Sequence, residues 1–114
     1  MKMKDNWTFQ LKKGSFELAI LFLLHSEPMY GYEITKRLKE TEELSISGGA
    51  IYPILNRMYK KGFINFYWGE SDKGPPKKYY YINELGLKTL RSRMDTYQKV
   101  YKALSSLGGD KIDS

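Results

Sequence analysis

The chain has 114 residues, 41% of them hydrophobic and 28% charged, which is the composition of one globular domain, too short for two and too apolar for disorder. Lys and Arg number 19 against 13 Asp and Glu, and the resulting formal charge of +6 favours a polyanionic partner, with solubility alone as the plainer alternative. The absence of cysteine excludes a disulfide framework, a cysteine zinc site and a thiol nucleophile, and it fits a reducing cytoplasm.

Residues 1–13 are mixed and basic, with Lys2, Lys4, Lys12 and Lys13 among Trp7, Phe9 and Leu11. They read as an arm or a short helix, without the apolar stretch of a signal peptide. Ser15 is the expected N-cap of a helix over residues 16–26 that is apolar nearly all round, as a central core helix is. Its strongest apolar run is about one-third of what a membrane helix needs, so a soluble cytoplasmic protein is expected. Glu27-Pro28 ends it, because the residue before proline resists helical geometry.

A second helix is predicted over residues 31–44, with Ile34 and Leu38 inside and Lys36, Arg37, Lys39 and Glu40 outside. After a turn at 45–49, with Ser47 a good N-cap, a third helix over 48–61 carries Ile51, Ile54, Leu55 and Met58 in an i, i+3, i+4, i+7 stripe. Its other face shows Tyr52, Asn56, Arg57, Lys60 and Lys61, and Gly62 terminates it. Pro53 typically costs ~3 kcal/mol inside a helix, so spacing alone starts this helix at Tyr52.

Residues 63–68 and 78–82 read as two strands joined by a long Gly-Pro-Pro loop, with Ile64, Phe66 and Trp68 on one face of the first and Tyr80 and Ile82 sharing a face of the second. Asn83 caps a last helix over 84–107. In it Leu87, Leu90, Met94, Tyr97, Tyr101 and Leu104 follow a heptad seam, which reads as a two-fold dimer interface. The alternative is that this stripe folds back on its own domain. The fold class is therefore mainly α with a small β-hairpin: a winged helix-turn-helix domain over 1–82, then a C-terminal dimerisation helix and short tail over 83–114.

Duplex DNA is read by a narrow helix with a polar, basic outer face, and Tyr52, Asn56, Arg57 and Lys60 supply one here. Gly48 and Gly49 permit close approach of a phosphate. Lys73, Lys77 and Lys78 make the hairpin a second basic element, able to straddle the groove beside the helix. Enzyme chemistry finds little: His25 is the lone histidine, there is no metal-ligand spacing or phosphate loop, and Glu40, Glu42 and Glu43 read as a solvated helix end.

The stretches YGYEI (30–34), SGGAIYPIL (47–55), KGFI (61–64) and GPPKKYY (74–80) together resemble the PadR family of transcriptional regulators, over roughly residues 13–107. The resemblance implies that Pro53 is accommodated near the start of the recognition helix, so that residues 48–61 stay together. It implies Tyr30 against a phosphate, Ser47, Gly48, Tyr52, Pro53 and Arg57 at the DNA face, and Lys77 and Lys78 as wing contacts. The family usually has Arg-Lys where this chain has Lys77-Lys78, which loses a planar fork, and threonine where it has Asn83, an exchange of N-caps. The single C-terminal helix resembles the compact branch, whose members dimerise through it and commonly act as repressors. Such members often bind planar or hydrophobic compounds at the dimer centre, which implies a ligand pore at Phe16, Tyr97 and Tyr101, against the plainer reading of Tyr97 as an interface residue. No metal or organic cofactor is implied.

The expected function is thus a homodimeric repressor on an inverted-repeat operator, with double-stranded DNA, itself and a small effector as partners, and no membrane. Alternatives are a winged helix that docks an acidic protein, and single-stranded RNA binding through Trp68, Tyr79 and Tyr81.

Overall fold

The computed structural model describes residues 6–108; Lys2 and Lys4 of the expected arm, and the tail over 109–114, lie outside the described residues. Helix α1 (Asn6–Ser26) leads through strand β1 (Met29–Tyr30) into α2 (Gly31–Leu38). Two short 3-10 turns, Glu42–Leu44 and Gly48–Ala50, precede α3 (Ile51–Lys60). The hairpin of β2 (Ile64–Gly69) and β3 (Lys77–Ile82) then gives way to α4 (Glu84–Ser106).

Three expectations are corrected. From Asn6 onward the arm is helical and continuous with the first helix, so Ser15 lies inside α1 and caps nothing. A mid-helix glycine such as Gly14 costs only about 1 kcal/mol, less than breaking a helix with good formers on both sides. The second helix stops at Leu38 and not near residue 44. Its buried stripe of Gly31, Ile34, Thr35 and Leu38 ends there, Thr41 is extended, and Leu44 reaches the core from its own turn. Strand β1 gave no alternation signal because it spans two residues; it joins the hairpin through Met29–Tyr80 and Tyr30–Tyr79 pairing, making an antiparallel sheet of order β1-β3-β2.

Ile20, Leu21, Ile34, Ile51, Leu55 and Ile64 are fully buried, at about 1.5–3 kcal/mol of burial each. The hairpin register pairs Ile64 with Ile82, Phe66 with Tyr80 and Trp68 with Lys78, so one face closes the core and the opposite face, with Tyr67, Tyr79 and Tyr81, turns outward. Helix α4 is rooted in this core: Leu90 is 3% exposed and Met94 packs against it.

Candidate nucleic-acid interface

Helix α3 buries Ile51, Leu55 and Met58, and the helical period places Pro53, Asn56 and Lys60 opposite them, all exposed. Pro53 costs little because it is the third helical residue, where a backbone N–H has no intrahelical acceptor. The 3-10 turn over Gly48–Ala50, closed by a bond from the Ala50 N–H to the Ser47 carbonyl, runs straight into α3, which keeps residues 48–60 in one rod. Ser47 and Gly48 lie exposed at its start, and a Cβ on Gly48 or Gly49 would meet nothing within 4 Å, so nothing among the described residues requires glycine there. Gly62, at φ 85°, ends the rod as expected.

The flanks of α3 are engaged with the body. On one side the half-exposed Tyr52 packs so closely on Gly31 that a Cβ there would collide with its ring, while Tyr59 packs on Phe66 at 5.2 Å between centroids. Burial raises the hydroxyl pKa of Tyr80, and the charge interaction with Tyr52 raises it further. On the other side Arg57 does not simply face outward: its Nε donates to Glu17 Oε2 at 3.3 Å.

Sequence reasoning missed Glu17 altogether. Its 6% exposed carboxylate also accepts from Lys61 Nζ at 3.3 Å and from Arg93 NH1 of α4 at 3.0 Å. Burial pushes the Glu17 pKa up, but the hydrogen bond from Arg93, the charge and hydrogen bond of Lys61 and the bond from Arg57 outweigh it and hold the carboxyl below its usual range. The signal available was a lone acid on an otherwise apolar stretch of helix, a residue type almost never buried unless paired.

The wing lysines separate. Lys77 extends along the outer face with Nζ 5.0 Å from the Tyr30 ring, in the neighbourhood of the Tyr67–Tyr79 stack. Lys78 points to the opposite face, its Nζ 4.2 Å from Phe66, 5.7 Å from Trp68 and 5.8 Å from Tyr80. Strand alternation forces this on any adjacent pair. Tyr30 caps α2, its N–H donating to Glu33 Oε1 at 3.2 Å, and its ring meets Tyr79 edge-on. Tyr30 and Lys77 therefore come together, whereas Lys78 belongs to a different surface.

Asn83 does more than cap α4. Its Oδ1 accepts from the Gly86 N–H at 2.8 Å, and its Nδ2 donates to the Gly62 carbonyl at 2.8 Å and to Asn65 Oδ1 at 2.7 Å. The single hydroxyl proton of a threonine could not serve both acceptors, so the exchange with the family's usual residue is more than one of caps.

The seam of α4 divides. Leu90 and Met94 pack on their own domain and Leu87 is half-buried, while Tyr97, Tyr101 and Leu104 are 52%, 70% and 60% exposed. Tyr97 lines an apolar groove of about 400 Å³ with Leu18, Phe22, Leu44 and Met94. Phe16 lines a different groove of about 700 Å³, beside Lys12, Ile46, Ile54 and Arg57, so within one subunit the expected pore residues do not converge.

Three helices closed by a hairpin, with an amphipathic third helix and a long trailing one, define a winged helix fold. The model of the transcriptional regulator PadR-like family matches residues 20–92, and the chain belongs to that family; it is a transcription regulator and not an enzyme. An uncharacterized protein of Lysinibacillus sphaericus is 32% identical over 76 residues, 65% of this chain and 70% of that protein. A PadR-like transcriptional regulator from Bacillus cereus is 35% identical, with TM-score 0.75 over 86% of this chain and 95% of its own. A PadR family regulator from Eggerthella lenta is 25% identical, with TM-score 0.79 over 90% and 88% respectively. Bacillus subtilis PadR, solved in complex with operator DNA, is 30% identical, with TM-score 0.65 over 70% of this chain and 47% of that one.

Proposed function

We propose that the chain is a cytoplasmic homodimer that binds duplex DNA at an inverted repeat and represses transcription there, until a small planar or hydrophobic compound releases it. The observation that carries the reading is the rod over residues 48–60, greasy inside and exposed along Pro53, Asn56 and Lys60, beside a hairpin that brings Lys77 to Tyr30. Bacillus subtilis PadR, a similar protein solved with operator DNA, supports it. A second copy is supported by apolar side chains left in water, Tyr97, Tyr101 and Leu104 on α4 and Trp7, Phe9 and Phe22 on α1, together with the groove between these helices. Exposed rings at Tyr97 and Tyr101 suit a planar ligand. Among the described residues no helix is long and apolar enough to cross a membrane.

Selection of preferred sites from random duplexes, with light scattering on the complex, tests this. The expected result is a dimer on two half-sites about one turn, ~34 Å, apart. Failure to enrich any consensus would return the protein-docking alternative. For the ligand, Tyr97→Ala should weaken titrations with planar dyes, and unchanged titrations would leave Tyr97 an interface role only.

A further inference from the structure

Glu17 stands in the core with three cations on one carboxylate, three positive groups against one negative, a surplus of two. Two of the three, Arg57 and Lys61, belong to the end of the helix assigned to the DNA groove, and both keep 40–50% of their side chains in water: 50% for Arg57 and 42% for Lys61. An unengaged lysine or arginine at such a place grips whatever phosphate it meets, and each strand offers one every ~3.4 Å. Those contacts add affinity for all sequences alike. Here one carboxylate already engages both side chains from within, although it leaves two positive charges uncompensated. Arg57 is held through Nε, one of the five donors of a guanidinium. Its other four donors remain available to a further partner.

We propose that Glu17 is a positioning residue that sets sequence selectivity, occupying Arg57 and Lys61 with an internal carboxylate so that neither grips the backbone of arbitrary DNA. The proposal rests on the reading of α3 as the recognition helix. The same carboxylate binds Arg93, so α4 steadies the arrangement from the side away from the duplex.

The test measures dissociation constants of the full chain, over a salt series, on the selected duplex and on a scrambled one. Glu17→Gln should tighten binding to the scrambled duplex about fivefold and steepen the salt slope by about 1 to 2, as one or two cations are released to phosphates. Preference for the selected duplex should fall by a similar factor, and adding Arg57→Gln should reverse most of the tightening and of the slope change on the scrambled duplex without restoring the preference. A parallel loss on both duplexes with an unchanged slope is what a merely structural role gives, and it overturns the proposal. Should Glu17→Gln not fold, Arg57→Gln and Lys61→Gln in the otherwise unaltered chain decide the matter. Each should cost less than about twofold on the scrambled duplex and leave its slope alone, whereas a slope shallower by about 0.9 means a free phosphate contact and refutes the idea. If the parent chain shows no preferred duplex, the recognition-helix reading itself fails, a result separable from all of these.

Discussion

The ring of Tyr52 rests against the backbone of Gly31, so the second and third helices meet through a space only a hydrogen atom fits. Gly31→Ala should therefore push the half-exposed Tyr52 ring aside at a cost of about 1 kcal/mol, read from urea midpoints. Tyr52→Ala removes the obstacle, and the double variant should lose less than the sum of the single ones by at least about 0.5 kcal/mol. Additive losses would mean that the ring is elsewhere in solution.

Glu17 predicts a pH dependence with a definite sign. Its folded carboxyl is held below the ordinary value of 4.5, so its contribution is present above that value and is lost as pH falls through the folded one. Glu17→Gln should cost about 1–3 kcal/mol at neutral pH, discounted for the half-exposed partners, and flatten the acid limb of the stability curve below pH 4.5. The same acid limb in parent and variant would show that other carboxylates govern it.

Arg57→Ala combined with Lys77→Ala should abolish detectable preference for the selected duplex while circular dichroism stays unchanged. With about four phosphates neutralised per subunit, log affinity should fall against log salt with a slope near −7. Retained preference would place the reading surface elsewhere, and a slope near zero would remove the electrostatic basis of the model.

Two residues of one heptad seam should behave differently. Leu90→Asp puts a charge into the subunit's own core and should destabilise it by about 3–5 kcal/mol. Tyr101→Asp, at an exposed site, should leave the circular dichroism of the folded subunit unchanged yet halve the mass seen by light scattering and lower the melting transition only by what dimerisation contributed. An unaffected dimer after Tyr101→Asp would move the interface off the outer half of α4.

What the sequence made legible was local. The stripe Ile51, Ile54, Leu55 and Met58, the stop at Gly62 and the cap at Asn83 each follow from a period or a terminus signal within a few residues, and each is found in place. The alternation of Ile64, Phe66 and Trp68 likewise gave the correct face of the hairpin. Long-range partnership was not legible. Glu17 meets groups 40, 44 and 76 residues away, and no spacing rule announces that. The division of α4 was also hidden, because Leu90 and Tyr101 obey one heptad pattern while only the first lies over a core.

Asn83 has a consequence for how a signal could travel. One amide grips the end of the third helix, the first strand of the hairpin and the root of the fourth helix, all within 2.8 Å. A joint fastened in three directions turns but does not fold. A disturbance that tilts the root of α4 is thereby passed directly to the end of α3 and to the hairpin, like a lever on a fixed fulcrum.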